Sequence, residues 1–210
     1  SSLETLGRGE IAIEFSQPAG VAGNARLYAR AGIRAVVGTT GWNDKRETAK
    51  GIVEKAGIGY LWASNFAIGA HIFLRLVDRM AEFYDSVPLY DILAYELHHN
   101  QKGDSPSGTA LTMGSHILNH TSRKKSLITD KLDRKIEPTE LHIASVRGGS
   151  IPGTHTVMLD SAADTIELTH TARNRGGLAM GAVMAAEWLM GKTGFFNVEQ
   201  FVDELLKNRA

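Results

Sequence analysis

Cysteine is absent from the 210 residues. Neither a disulfide framework nor thiolate chemistry is open to the chain, and a reducing cytoplasm is the compartment that fits. An excess of charge is absent too, since 23 Lys and Arg balance 23 Asp and Glu. With pI near 7.1, no basic field is available to hold nucleic acid or an anionic membrane. No apolar run approaches the roughly 18 residues that mark a bilayer span, and the opening residues do not read as a secretory signal. Residue 1 is Ser rather than Met, so the polypeptide reads as processed, truncated or given in part. The remaining composition, 43% hydrophobic and 22% charged, is that of a globular protein with room for one large domain or two small ones.

Short apolar runs alternate with helical patterns through the first third. Ile11–Phe15 reads as a strand, residues 19 to 31 as a helix stopped by Gly32, and Arg34–Gly38 as a second strand. After Thr39-Thr40-Gly41-Trp42, Asn43 can cap a helix ending near Gly57, and Ile58–Trp62 is a third strand. This alternation predicts parallel βαβ units in an open doubly wound sheet, whose ligands sit at the carboxyl ends of the strands. Those ends are Phe15-Ser16-Gln17-Pro18, Gly38-Thr39-Thr40-Gly41 and Ala63-Ser64-Asn65-Phe66. One expected part is missing: no G-x-x-G turn follows a strand before residue 38, and Gly7-Arg8-Gly9 precedes a strand instead.

Further on, residues 68 to 84 form an amphipathic helical pattern with Ile68, Ile72, Leu76 and Met80 roughly on one face. Tyr90–Leu97 is a strand, and 121–138 is polar and charged enough to read as an exposed, mobile loop. Strands follow at 140–146, 155–160 and 165–172, giving a second, mixed or antiparallel sheet. A helix runs from about 177 to 190 and stops at Gly191; Asn197 with Gln200 resembles a capping box for the last helix. The fold class is therefore α/β, a partial Rossmann-like parallel sheet plus a second α+β domain.

Chemistry concentrates in Glu96-Leu97-His98-His99-Asn100-Gln101-Lys102-Gly103-Asp104-Ser105-Pro106-Ser107-Gly108-Thr109-Ala110. Ser105 can serve as N-cap and Pro106 as the first helical residue. Ser107, Gly108 and Thr109 then lie in a first turn whose free N–H groups, hydroxyls and dipole favour an anion. His98, His99 and Lys102 add positive charge and groups that move protons near neutral pH. A His-His pair alone is often half-buried polar structure, and Ser-Pro-Ser-Gly alone is often only a cap. Neither explains why Lys102 accompanies both.

This stretch resembles the signature of dihydrodipicolinate reductases, E-x-H-H-x-x-K-x-D-[AS]-P-S-G-T-A, with Asn100 and Gln101 standing where many members carry a basic residue. The resemblance runs from about Ile11 to Leu206. It implies NADH- or NADPH-dependent reduction of dihydrodipicolinate (hydroxy-tetrahydrodipicolinate) to tetrahydrodipicolinate in the diaminopimelate and lysine pathway. By that resemblance His98 is the acid/base histidine and Lys102 the proton donor. His99, Ser107, Gly108 and Thr109 hold the substrate's carboxylates, while Gly38, Thr39, Thr40, Ala63, Ser64, Asn65 and Phe66 border the cofactor. It further implies a cofactor domain of residues 1–66 with 176–210, a substrate and oligomerisation domain of residues 67–175, and a homotetramer built by packed sheets. Family members begin with the Gly-rich unit not found here, so the chain as given is expected to bind dinucleotide weakly or not at all. Two alternatives follow: a non-catalytic remnant that binds a dicarboxylate or serves assembly, and a related dehydrogenase with another small substrate. The latter gives no reason for two histidines and a lysine to share a segment with Ser-Gly-Thr.

His142, His155 and His170 fall on strands, and His170 shares its face with Ile166 and Leu168, as a packed structural histidine would. His116 and His120 are four apart but have no carboxylate between them in H-E-x-x-H fashion, so no metal is expected. Arg147, beside Gly148-Gly149, matches the family's R-x-G turn. Arg175 lies where the family has an arginine near the hinge; either could reach substrate, but surface arginines are common and both are read as supporting residues behind the substrate contacts.

Overall fold

The computed structural model describes residues 10–207, so Gly7-Arg8-Gly9 lies outside the described residues. They divide into two compact units: residues up to 68 together with 176 onward, and residues 69–175.

The first unit is built from β1 (Ile11–Glu14), α1 (Val21–Ala31), β2 (Arg34–Val37), α2 (Arg46–Ala56) and β3 (Gly59–Trp62). From the far end of the chain it adds α5 (Gly176–Leu189), β9 (Gly194–Asn197) and α6 (Val198–Lys207). Strand order is β1-β2-β3-β9 and every pair is parallel. Alternation splits the strands between two cores. Ala35, Val37 and Tyr60 pack with Val21, Ala25, Ala49 and Val53 of α1 and α2. Val36 and Leu61 pack with Ala182, Ala185, Leu189 and Phe201 of α5 and α6. A sheet covered on both faces needs apolar residues at successive positions, which is why Arg34–Val37 reads as a run rather than an alternation. α1 ends as expected: Gly32, at φ 68°, donates to Ala29 O while Ile33 donates to Tyr28 O, the paired bonds of a left-handed helix stop.

Several sequence expectations for this unit change. A 3₁₀ turn, Pro18–Gly20, precedes α1. Asn43 does not cap α2: it opens a 3₁₀ turn over Asn43–Lys45, and its side chain accepts from Arg46. β9 is absent from the sequence reading: its Gly194-Phe195-Phe196-Asn197 follows the helix stop at Gly191 closely and runs straight into the cap of α6. At its end Asn197 and Gln200 exchange backbone-to-side-chain bonds of 3.0 Å in both directions, completing the capping box.

The second unit contains α3 (Ile68–Ser86, from its second residue), β4 (Asp91–His98), α4 (Gly108–Asn119), β5 (Ser126–Ile128), β6 (Glu140–Arg147), β7 (Thr154–Asp160) and β8 (Thr165–Thr171). Sheet order is β5-β6-β4-β7-β8, with the first three strands parallel and the last two antiparallel. α3 and α4 cover one face, burying Phe73, Val77, Tyr84, Met113 and Ile117 against Ile92, Ala94, Ile143 and Val157. The other face carries Leu93 and Val146, both exposed.

The buried stripe of α3 is not the one the spacing suggested. Ile72 and Leu76 are 40% and 47% exposed, while Phe73, Leu74, Val77, Ala81 and Tyr84 are buried. Four-residue steps drift around a helix by about 40° each, so 68-72-76-80 does not hold one face. Residues 121–138 are likewise more than a solvated loop. β5 pairs with β6, and Lys124 is buried with Nζ 2.7 Å from Asp91 and 3.1 Å from Pro138 O. Arg123 donates to Tyr90 O and lies over the Tyr84 ring. A lysine or arginine stem can cover apolar surface while its head finds oxygen, which a charge count does not reveal. Among the described residues no helix is long and apolar enough to cross a membrane.

Candidate functional site

In the second unit the site follows from strand alternation. Ile92, Ala94, Glu96 and His98 succeed one another on the helix-covered face of β4. The first two belong to the core, and the next two carry chemistry on the same face. Register brings Ser145 and His155 opposite Glu96, and Arg147 opposite His98. The result is a buried polar cluster continuous with the core.

Glu96 is its hub and is wholly buried. Its Oε1 accepts from the Ser107 backbone N–H at 2.8 Å, the Ser145 hydroxyl at 2.9 Å and Arg147 Nη2 at 2.8 Å. Its Oε2 accepts from the Ser107 hydroxyl and lies 3.3 Å from both His98 Nδ1 and His155 Nε2. Burial pushes this carboxyl upward. The hydrogen bonds from Ser107, Arg147 and Ser145 outweigh that effect and bring its pKa down to about 2. Burial lowers His155 to about 4, against the opposing pull of Glu96. Burial also lowers His98, with Glu96 again opposing. An ionised carboxylate thus sits between two imidazoles held neutral at pH 7. The three donors lie within 4.8 Å of one another, a spacing that could grip a cation. Glu96 already accepts from an amide, two hydroxyls and a guanidinium, three of them on Oε1, so the cluster is a hydrogen-bonding hub whose Oε2 still faces the two imidazoles.

Around it the sequence-predicted residues take distinct places. His98 is buried, and His99 is half-buried with its backbone N–H on Ile151 O at 2.8 Å. Lys102 Nζ donates to Asp104 Oδ1 at 2.6 Å. Ser105 and Pro106 do not begin the helix. Ser107 is the N-cap of α4, extended at φ −70° and ψ 158°, and its hydroxyl accepts from Ala110 N at 3.1 Å. The cap moved because the Glu96 carboxylate holds Ser107 in place, so the Ser107 N–H is not free for a ligand. Gly108 is exposed and Thr109 partly exposed in the first turn.

Sequence reasoning missed Glu96 and His155, and it left Arg147 as a remote candidate. The available signal was the i, i+2 spacing of Glu96 and His98, which puts them on one face of any strand. The other partners come from β6 and β7, and only register identifies them. His170 packs against Phe73 with ring centroids 5.9 Å apart. His116 and His120 both approach Asp78, at 2.6 and 3.2 Å, a carboxylate supplied by α3 rather than by their own helix.

The strand ends of the first unit form a second group. Gly38 N donates to Glu14 O and Ala63 N to Val37 O, so the ends of β1, β2 and β3 adjoin. Thr39 is buried: its hydroxyl accepts from Ser16 N, and its carbonyl accepts from Trp42 Nε1. Ala63 and Phe66 are buried and Asn65 caps the turn at Ala67, while Thr40 and Ser64 are exposed. The exposed Phe15 ring lies against Gly38, where a Cβ would come within 2.1 Å of it. Glu14, buried below, is bound by the Ser16 hydroxyl, Asn24 and Tyr28.

Residues 2–66 match the family profile described as dihydrodipicolinate reductase, N-terminus, and residues 69–202 match its C-terminus. The chain belongs to the dihydrodipicolinate reductase family. It is 40% identical over 199 residues to the 4-hydroxy-tetrahydrodipicolinate reductase of Christiangramia forsetii, covering 95% of this chain and 82% of that protein. It is 34% identical to the same enzyme of Chromobacterium violaceum, covering 94% and 74%. A dipicolinate-bound dihydrodipicolinate reductase from Paenisporosarcina sp. TG-14 shares the fold, with TM-score 0.71 at 22% identity over 90% of this chain and 71% of that one. As a dihydrodipicolinate reductase the chain is an oxidoreductase that reduces dihydrodipicolinate in the diaminopimelate and lysine pathway. The parallel sheet of the first unit and the mixed sheet of the second are the α/β architecture expected. Nothing in the site favours a non-catalytic remnant.

Proposed function

We propose that His98 and Lys102 move the proton of this reduction, and that His99, Gly108, Thr109 and the capped start of α4 hold the substrate's carboxylates. The observation that carries the reading is the joint placement of His98 and Ser107 on one buried carboxylate, Glu96, which ties the acid–base ring to the helix start. Ser107 then acts by fixing that start rather than by offering its own N–H. Fixed dipoles at a helix N-terminus stabilise an anion without reorganising, and they count for more in a site shielded from water. Lys102, paired with Asp104, supplies an ammonium for the carbon or nitrogen that accepts the proton once hydride has reached the conjugated ring.

The cofactor of this reading is NADH or NADPH, which supplies the hydride. Residues 1–66 with 176–210 act as its domain, and 67–175 bind the substrate and build the oligomer. Support comes from the exposed Phe15 ring, which lies against Gly38 and edge-on to Phe66 with centroids 6.3 Å apart, and from the exposed Thr40 and Ser64 in the segments that follow β2 and β3. Gly38, Thr39, Ala63, Asn65 and Phe66 belong to the same strand-end segments and are buried or half-buried there. A homo-oligomer, a tetramer by family likeness, is supported by the uncovered sheet face bearing Leu93 and Val146. The lack of cysteine supports a cytoplasmic location.

The test is turnover of His98→Gln and Lys102→Ala, followed by nicotinamide absorbance, with circular dichroism to confirm the fold. Each variant is expected to lose at least about a hundredfold in kcat, as removal of a general acid–base group does. Full turnover in both would overturn the assignment.

A further inference from the structure

Glu96 is the most enclosed charge of the second unit, yet neither proton transfer nor carboxylate binding uses it directly. Its Oε2 faces two imidazoles at the same 3.3 Å distance. Two observations indicate that the arrangement serves His98. First, His98 Nδ1 is buried without a hydrogen-bond partner of regular geometry, and the Glu96 oxygen is the carboxylate beside it. Second, Gly153 approaches the opposite edge of the ring with no side chain of its own. A Cβ there would lie 2.9 Å from His98 Nε2 and 3.3 Å from Cδ2, and φ at this residue is +155°. The ring therefore stands between a carboxylate at Nδ1 and a bare α-carbon at Nε2. His155 closes a third side, edge-on, with centroids 5.2 Å apart and planes at 74°.

We infer that Glu96, with His155 packed against the ring, is a positioning residue that fixes the orientation and tautomer of His98, placing the proton on Nδ1 and leaving Nε2 to exchange protons with substrate. A neutral imidazole can carry its proton on either nitrogen, and an anion at one of them selects that form. Ser107, Ser145 and Arg147 then hold the carboxylate that does the selecting. The inference rests on the reading of His98 as the acid–base group.

The charged and titratable groups around His98 are Glu96 on its own strand, Lys102 and Asp104 in the following turn, Arg147 on β6 and His155 on β7. Removing the Glu96 charge leaves the two cations less opposed, so His98 becomes harder to protonate.

Three measurements on the full chain test this. In the wild-type protein, ¹⁵N resonances of His98 should report the Nδ1–H tautomer, and an Nε2–H tautomer would overturn the proposal without any mutation. In Glu96→Gln, kcat should fall at least about tenfold, as it does when the group that sets a catalytic histidine's tautomer is removed. KM should change far less, and the His98 limb of the pH–rate profile should move to lower pH. A simple packing defect would lower the amplitude and leave that limb where it is. His98→Gln separates the two claims. If it is inactive while Glu96→Gln keeps wild-type kcat and pH profile, the positioning role fails alone. If His98→Gln turns over fully, the acid–base reading fails with it.

Discussion

Replacing His155 by Gln probes the buried cluster through its proton uptake, independently of turnover. Burial lowers the imidazole from its usual 6.5 to about 4 in the folded protein, and unfolding returns it to the ordinary value. Between those limits the unfolded chain binds a proton that the folded chain refuses. Stability from this group is therefore complete above pH 6.5, declines as pH falls through the window, and levels off below about 4. At 1.36 kcal/mol per pH unit, the span from 6.5 to 4 amounts to about 3 kcal/mol. Glu96 acts lower down: its stabilisation is present above 4.5 and is lost as pH falls towards about 2. Urea unfolding followed by far-ultraviolet circular dichroism, which reports the helices and strands of both units, from about pH 7.5 to about pH 4, gives the stability curve of each protein. The His155→Gln curve should be flatter than wild type between 6.5 and 4 by about that amount, whatever its offset at neutral pH. Parallel curves over this window would refute the account of His155 as a histidine held neutral by burial.

Two further predictions concern the first unit. A Cβ at Gly181 of α5 would sit 1.7 Å from the Phe66 carbonyl oxygen, so Gly181→Ala should lower stability by about 1–3 kcal/mol or more, as overpacking does. Asn197→Ala removes half of the reciprocal cap on α6 and should cost about 1 kcal/mol in denaturant unfolding. An unchanged midpoint would mean that packing of Phe201 and Val202 alone sets the start of that helix.

The parts of this molecule legible in the sequence are those that local chemistry specifies. Gly32 and Gly57 stop their helices by taking the left-handed conformation that glycine adopts without strain. Asn197 and Gln200 announce a cap through spacing alone, and Arg34–Val37 announces a covered strand. What stayed hidden depends on partners distant in sequence. Ser107 displaces Ser105 as the cap because a carboxylate eleven residues earlier holds it. His155 joins His98 only through the antiparallel register of β7 with β4, and Lys124 is buried because Asp91 and Pro138 meet it there. The motif of residues 96–110 was visible as a cluster of functional groups, but its hub carried no special signal beyond sharing a strand face with His98.

The pairing of β9 with β3 has a consequence for the order in which the molecule takes shape. Residues 59–62 of the parallel sheet wait for residues 194–197 to cover their outer edge, while the intervening unit closes its own sheet from segments lying wholly between 91 and 171. During synthesis the inserted unit can thus be complete while the surrounding one still presents an open row of backbone amides and carbonyls. That makes β3 the place where an unfinished chain is most vulnerable to pairing with the wrong neighbour.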